Sequence, residues 1–185
     1  MFLLNLPDEY KVAGCLTGHR EAILCLAVSL AGDLLASGGF DGLRVWDIQR
    51  MVQLAKPTQM RNPGDPITSL MWLSRRDNSE TILCSGSGLG YLMLWRQRSD
   101  STEFQEIFSR RIGTGQEIMS MNQYNIDGGT RIIMGTRNRH AQLWVLDSKL
   151  NISNLFSVEL AHSVPRAMYF HGANIVTLGM YDGEM

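Results

Sequence analysis

Three tryptophans recur at a constant interval along this chain. Trp46, Trp95 and Trp144 are spaced 49 residues apart, and each stands near the end of a short apolar run. Glycine, aspartate and proline interrupt these runs, which is typical of strands joined by tight turns. No run is long enough for a lone buried helix. The interval therefore predicts an all-β protein built from repeats of one supersecondary unit.

The first repeat has the pattern of a four-stranded antiparallel meander. Turn signals at Gly32-Asp33 and Asp41-Gly42 separate its apolar runs. Strands are therefore expected in succession at residues 22–29, 34–37, 43–48 and 49–54.

The same pattern restarts after a loop at residues 56–66 that holds three prolines. Further strands are expected at residues 67–73, 81–85, 91–95, 104–112, 117–124, 131–134, 141–146, 152–160, 164–170 and 174–178. This divides the chain into units of approximately 10–55, 66–112, 115–160 and 161–185. The last unit is incomplete, because it has neither a third strand nor a tryptophan.

The first unit resembles the WD40 repeat family. It carries Gly18-His19, Ser37-Gly38, Asp41-Gly42 and Trp46-Asp47 in the order of that family. The resemblance implies a β-propeller, in which each four-stranded antiparallel sheet is a blade and the blades pack around a channel. About three and a half blades are present, whereas closed propellers have roughly 4–8. We therefore expect an open or incomplete ring.

The two ends of the chain bear on how such a ring would close. In the family, a first strand such as residues 10–16 completes the last blade, but here the last unit stops within a hairpin near Tyr181. An open arc exposes strand edges and apolar blade faces. We therefore expect a fragment of a longer propeller, a truncated gene product, or one part of an assembly. In an assembly, self-association or a second chain would complete the ring.

The resemblance also implies a hydrogen-bonded tetrad inside a blade, formed by His19, Ser37, Asp41 and Trp46. A carboxylate at a tight turn accepts from an imidazole, the imidazole accepts from a hydroxyl, and the indole N–H donates to that hydroxyl. The turn between Asp41 and Trp46 is one residue shorter than is usual in the family. These four residues are thus expected to fasten the blade rather than to react.

The later units keep only parts of this tetrad. In the second unit, Leu89 stands at the aspartate position, although Ser85 and Trp95 are retained. The third unit has Met134 at the hydroxyl position and Asn138 at the aspartate position, and the fourth has His162 and Asp182. The resemblance is therefore most specific in the first unit.

Candidate catalytic and metal-binding residues are few. No pair of histidines has the spacing of metal ligands, and Ser37 and Ser85 lie in predicted strands without the setting of a nucleophile. Cys15, Cys25 and Cys84 form no Cys-x-x-Cys pair and are interpreted as small buried side chains in a reducing compartment. We expect no catalytic residue, no metal site and no cofactor.

In the family, partners usually dock on the propeller face, at the residue that precedes the turn aspartate. The matching positions are Phe40, Gly88, Arg137 and Tyr181, and Arg20 and Glu21 are expected on the same face. Aromatic and arginine side chains are frequent binding hot spots. Basic clusters at Arg75-Arg76, Arg110-Arg111 and residues 137–140 are interpreted as solvated loops, the alternative being a site for an acidic peptide or a phosphate backbone.

The sequence predicts a non-catalytic scaffold or adaptor that binds a protein or peptide partner. The alternatives are a degenerate fragment without an independent function and an enzyme that uses the propeller channel. The net charge of -1 offers no field for nucleic acid. No apolar run approaches the roughly 18 residues that a membrane span requires. The expected location is the cytoplasm or the nucleus.

Overall fold

The computed structural model describes residues 13–54, 62–74, 80–98 and 101–183. Within these ranges the chain consists of β-strands, turns and loops, with no helix. The strands form three sheets of four and one sheet of two, and within each sheet every strand pairs antiparallel with the next one along the chain. The all-β architecture expected from the sequence is confirmed. We call the four sheets blades 1 to 4, in chain order.

The strands of each blade follow one another without a crossover. Blade 1 contains β1 (Ile23–Val28), β2 (Leu34–Gly39), β3 (Gly42–Asp47) and β4 (Val52–Gln53). Blade 2 contains β5 (Ile67–Leu73), β6 (Ile82–Ser87), β7 (Tyr91–Gln97) and β8 (Phe104–Arg111). Blade 3 contains β9 (Ile118–Ile126), β10 (Gly129–Thr136), β11 (His140–Asp147) and β12 (Ile152–Glu159). Blade 4 contains β13 (Pro165–Gly172) and β14 (Ile175–Met180).

The turn between the second and third strands is shorter in blade 1 than in blade 3. Gly39 pairs with Gly42 in blade 1, which leaves a turn of two residues, Phe40 and Asp41. In blade 3, Thr136 pairs with His140 across a turn of three residues. Gly42 has a φ of 101°, a conformation that side chains with a Cβ rarely adopt. The short spacing between Asp41 and Trp46 is therefore accommodated within the turn.

Adjacent blades contact each other through their first strands. β1 lies against β5, β5 against β9, and β9 against β13. Trp72, which lies outside the 49-residue series, donates its indole N–H to the Ala27 carbonyl of blade 1 at 2.9 Å. The Gln123 amide of blade 3 donates in turn to the Trp72 carbonyl at 2.8 Å. The first strands thus form the inner side of a curved row of blades.

Apolar side chains fill each junction between blades. Val45, Ile67 and Trp72 belong to the cluster between blades 1 and 2. A second cluster joins blades 2 and 3, and a third, which includes Met168 and Phe170, joins blades 3 and 4. Because each blade buries one sheet face against the next, the hydrophobic core is divided among the junctions.

Glycines in the second strands permit this close packing. Gly38, Gly86 and Gly135 occupy equivalent positions. Each lies two residues before the first residue of the turn that follows its strand, which is Phe40, Gly88 or Arg137. A Cβ on Gly86 would lie 2.8 Å from the Cβ of Ile118, the first residue of β9. A Cβ on Gly135 would lie 2.8 Å from the ring of Pro165, the first residue of β13. Each glycine therefore admits the start of the next blade.

The four blades form an open arc rather than a closed ring. On β1, Cys25 and Ala27 pack toward blade 2, whereas the alternate residues Leu24, Leu26 and Val28 are 44%, 61% and 57% exposed. The strand expected at residues 10–16 is wrong over residues 13–16, which form no strand, and residues 10–12 lie outside the described ranges. The third strand of a last blade, with which it would pair, is lacking among the described residues.

Candidate functional site

The turn after the second strand is anchored in the same way in all four blades. The backbone N–H of the first turn residue donates to the carbonyl of the residue just before the first strand. These bonds run from Phe40 to Ala22 at 3.2 Å, from Gly88 to Pro66 at 2.9 Å, from Arg137 to Glu117 at 2.9 Å, and from Tyr181 to Val164 at 2.9 Å. The four turn residues are therefore structurally equivalent, and they lie at one end of the blades.

Large side chains at this end extend into solvent. Phe40 is 53% exposed, Tyr181 is 73% exposed, and Arg20, Glu21 and Arg137 are exposed as well. We call these five residues the turn face. It combines two exposed aromatic rings with cationic and anionic groups.

Two residues of the turn face are held by charged neighbours. The Arg137 guanidinium forms an ion pair with Glu117 at 2.6 Å. The Arg166 guanidinium lies 5.4 Å from the centroid of the Tyr181 ring, within the range of a cation–π interaction. Both contacts restrict the side chains without covering them.

Below the turn face, the structure brings His19, Ser37, Asp41 and Trp46 together. Nδ1 of His19 donates to the Asp41 carboxylate, an assignment that follows from the bonding network because a carboxylate only accepts. Nε2 of His19 lies 2.7 Å from the Ser37 hydroxyl, from which it accepts. The Trp46 indole N–H donates to the same hydroxyl oxygen at 2.7 Å. The shortened turn therefore does not prevent the Trp46 bond.

Asp41 receives two further donors. The Arg20 backbone N–H lies 2.9 Å from Oδ2, and the Arg44 guanidinium lies 3.0 Å from the same oxygen. Burial raises the pKa of Asp41, but the hydrogen bonds from His19, Arg20 and Arg44 outweigh it and hold the pKa far below its usual range. A carboxylate that stays ionised and fully paired in this way is suited to fastening the turn and not to proton transfer.

Blade 2 fastens its turn with a residue that the sequence reasoning missed. Asp65 is 6% exposed and accepts from the Ser87 hydroxyl at 2.6 Å and from the Leu89 backbone N–H at 2.8 Å. The Trp95 indole donates to Ser85 at 2.9 Å. Asp65 reaches the turn from the loop before β5, so Leu89 at the usual aspartate position leaves no gap. The one sequence signal that could have identified Asp65 was its position, as a carboxylate two residues before the strand predicted at residues 67–73.

Blade 3 replaces the tetrad with amide side chains. Gln142 accepts from the Trp144 indole N–H at 3.1 Å, which is the role that Ser37 has in blade 1. Asn138, at the aspartate position, accepts from the Thr136 hydroxyl at 2.7 Å. Met134, at the serine position, is buried and belongs to the apolar cluster with blade 2.

Blade 4 departs from the expectation for His162. Counting back from Val164, His162 stands where blade 1 has Arg20, and it is exposed rather than inserted beneath the turn. The Asp182 backbone N–H donates to the Ser163 hydroxyl at 3.3 Å. A single residue of offset therefore separates His162 from the histidine position of the tetrad.

The cysteines differ in their surroundings. Burial raises the pKa of the Cys25 thiol to about 12, and it also raises the pKa of Cys84, which is fully buried. The interpretation as a buried side chain is wrong for Cys15, which is exposed on the segment before β1. Across the part of the chain that the structure describes, no three His, Cys, Asp or Glu side chains are placed to hold a metal ion.

Comparison with known proteins identifies the repeat and the fold. The family model of the WD40 repeat, described as WD domain, G-beta repeat, matches residues 10–47. In sequence, the chain matches no curated protein. In structure, 523 solved chains match, so the fold is a common one and does not specify a partner.

One of these matches is a chain from the crystal structure of mitotic checkpoint complex. Its TM-score is 0.72 at 17% sequence identity, and the alignment covers 92% of this chain and 50% of that chain. The present chain thus spans half the length of the solved chain, and the likeness concerns the fold alone. No helix among the described residues has the length and apolar character needed to cross a membrane. Residues 10–47 carry a WD40 repeat, and the chain that contains them has the fold of WD40 propeller blades arranged in an open arc.

Proposed function

We propose that this chain is a non-catalytic interaction module that binds a protein or peptide partner through its turn face. WD40 propellers generally serve as scaffolds for protein interactions. The observation that carries the proposal is the presence of the exposed aromatics Phe40 and Tyr181 at equivalent anchored turns of blades 1 and 4.

Anchoring makes these turns efficient binding groups. The Phe40 turn is fixed by the pairing of Gly39 with Gly42 and by the bond from its N–H to Ala22, so little backbone freedom is lost on binding. Fully burying an exposed phenylalanine side chain contributes about 1.5–3 kcal/mol. A partner that covers an aromatic ring at each end of the arc would gain from both.

The charges on the turn face favour recognition at short range. Arg20 and Glu21 are adjacent and of opposite sign, and Arg137 is paired with Glu117. The whole chain has a net charge of -1, so it creates no strong field to attract a polyanion from a distance. A protein or peptide surface is therefore a better match than nucleic acid.

The proposal is tested by quantitative pull-down from cell extract with a triple variant, Phe40→Ala, Arg137→Ala and Tyr181→Ala. Proteins recovered with the unmodified chain are expected to fall about tenfold or more, which corresponds to roughly 1.4 kcal/mol of binding free energy. The matched control carries alanine at Leu30, Arg50 and Lys149, which are exposed at the opposite end of the blades. Equal recovery with a folded triple variant and the unmodified chain would contradict the turn-face proposal.

We propose, as a second candidate, that a second copy of this chain covers the open side of blade 1. Leu24, Leu26 and Val28 expose an apolar row of the kind that the other blades bury against a neighbour. Light scattering is expected to give a dimer that Leu26→Lys converts to a monomer. A monomer at all concentrations would exclude this candidate.

A further inference from the structure

Blade 3 contains a cavity of about 170 Å³ directly behind the Arg137 turn. Its lining includes Thr114, Asn138, Gln142 and Ser157, and it is bounded by the loop between β8 and β9. One buried water requires only about 10–15 Å³ of such space, so the cavity has room for a side chain or several waters.

The cavity lies at the position that His19 occupies in blade 1. Ala22 and Glu117 are equivalent, because each carbonyl accepts the N–H of the aligned turn residue. His19 precedes Ala22 by three residues, and Thr114 precedes Glu117 by three. A threonine is smaller than a histidine, so the space that the imidazole fills in blade 1 is left open in blade 3.

Donor groups remain available in this space. The carbonyl oxygen of the Gln142 amide accepts from Trp144, so its NH₂ group is left to donate, and a Cβ on Gly113 would lie 3.5 Å from that nitrogen. The carbonyl oxygen of the Asn138 amide accepts from Thr136, which leaves a second NH₂ group. The hydroxyls of Thr114 and Ser157 add two more donors.

The lining favours a ligand group that accepts hydrogen bonds over a cation. No carboxylate lines the cavity within the described residues, so nothing there would neutralise a cation. In blade 1 the corresponding space holds the Asp41 carboxylate together with its donors. In blade 3, Thr114 stands at the histidine position and Asn138 at the carboxylate position, so the lining offers amide and hydroxyl donors without the carboxylate.

Two basic clusters lie on either side of the junction between blades 2 and 3: Arg110 and Arg111 at the end of β8, and residues 137–140 at the turn of blade 3. Arg110 lies 5.9 Å from the centroid of the Trp144 ring, and the Arg111 side chain donates to the Leu89 carbonyl at 3.2 Å. Glu117 and Glu159 pair with Arg137 and Arg139, whereas no ion pair within the described ranges involves Arg110 or Arg111. The surroundings therefore carry an excess of positive charge.

We propose that this cavity receives the carboxylate of an aspartate or glutamate side chain from the peptide partner. The proposal rests on the proposed function, because the cavity adjoins Arg137 of the turn face and would select acidic peptides among those that dock there. The Gln142 and Asn138 amides and the Thr114 hydroxyl donate to the carboxylate, and the Arg110 guanidinium, which lies against the Trp144 ring of the same blade, supplies a positive charge nearby.

The test is an NMR titration of the full chain with a blocked amino acid, N-acetyl-glutamate N-methylamide. Saturable shifts of the side-chain amide signals of Asn138 and Gln142 are expected. N-acetyl-glutamine N-methylamide, which has the same shape without the charge, is expected to cause no saturable shift. Shifts with inorganic phosphate but none with the blocked glutamate would overturn the assignment to an acidic side chain.

A variant that rebuilds the tetrad of blade 1 gives the second arm. Thr114→His with Asn138→Asp places an imidazole and a carboxylate in the cavity, and the affinity for the blocked glutamate is expected to fall at least tenfold. Ser153→His, at an exposed position of β12 in the same blade, is the matched control and should bind as the unmodified chain does. Undiminished binding by the rebuilt variant would contradict the cavity proposal.

This result is separable from the test of the turn face. If Phe40→Ala and Tyr181→Ala abolish partner recovery while the blocked glutamate does not bind, the turn-face proposal is supported and the cavity proposal is contradicted. If the blocked glutamate binds and those alanines change nothing, the turn-face proposal falls.

Discussion

At the scale of single residues, the hydroxyl of Ser37 joins two otherwise separate parts of blade 1. It donates to His19, which comes from the segment before β1, and it accepts from Trp46 on β3. Ser37 is 2% exposed and Trp46 is 3% exposed, so water cannot replace either bond.

We expect Ser37→Ala to lower the free energy of unfolding by about 1–3 kcal/mol, because the indole N–H is left buried without an acceptor. Urea denaturation measures this loss. The double variant with Trp46→Phe should lose less than the sum of the two single changes, since the unpaired donor is then removed. Strict additivity would mean that the two residues do not interact in solution.

Asp41 makes the stability of the chain depend on pH. Its pKa is depressed in the folded state, so the stability that it contributes is fully present above its unfolded pKa of about 3.9 and is lost as the pH falls through the folded value. Between pH 5 and about pH 2, the free energy of unfolding should therefore fall more steeply for the unmodified chain than for Asp41→Asn. Urea denaturation at a series of pH values measures both slopes. If the free energy of unfolding falls equally with pH for the two proteins, Asp41 is not held ionised by its partners.

At the scale of elements, the packing of one blade on the next depends on a glycine in each second strand. We expect Gly86→Ala to destabilise the chain by about 1–3 kcal/mol, because the new methyl group meets the branched Cβ of Ile118, which is fully buried and cannot swing away. Gly172→Ala is the control, since a Cβ there has no neighbour within 4 Å. Thermal unfolding measures both, and equal transition temperatures would contradict the proposed fit.

The element scale also shows how far the sequence predicts the fold and the site. The run predicted at residues 67–73 coincides with β5 (Ile67–Leu73), because both ends of that strand are marked by turn residues. The four members of the blade 1 tetrad stand in one continuous stretch, so a local motif identifies them. Asp65 was missed because it fastens its turn from a proline-rich loop, and only the fold brings that loop to Ser87.

The cavity of blade 3 could not be predicted from the sequence for a related reason. Thr114 has no motif of its own, and its equivalence to His19 depends on counting from a backbone bond that only the structure reveals. The basic clusters at Arg110-Arg111 and residues 137–140 were visible separately, but the position of Arg110 against Trp144 of blade 3 depends on how blades 2 and 3 pack. The sequence thus identifies clusters of basic residues, and the fold determines which residues they neighbour.

At the scale of the whole molecule, the arc presents two different kinds of surface. The open side of blade 1 is apolar and resembles the faces that the other blades bury. The turn face is mixed in polarity, with its aromatic rings exposed on anchored turns. A partner on the open side of blade 1 would extend the arc, whereas a partner on the turn face would bind to it without extending it.

The most direct test of the turn face places a photo-cross-linking phenylalanine analogue at position 40, and in a control chain at Leu30. Leu30 is 86% exposed at the opposite end of blade 1, so it is more accessible than Phe40 at 53%. The turn-face account predicts covalent partner adducts from position 40 and none above background from position 30. Equal or greater adduct formation from position 30 would contradict it.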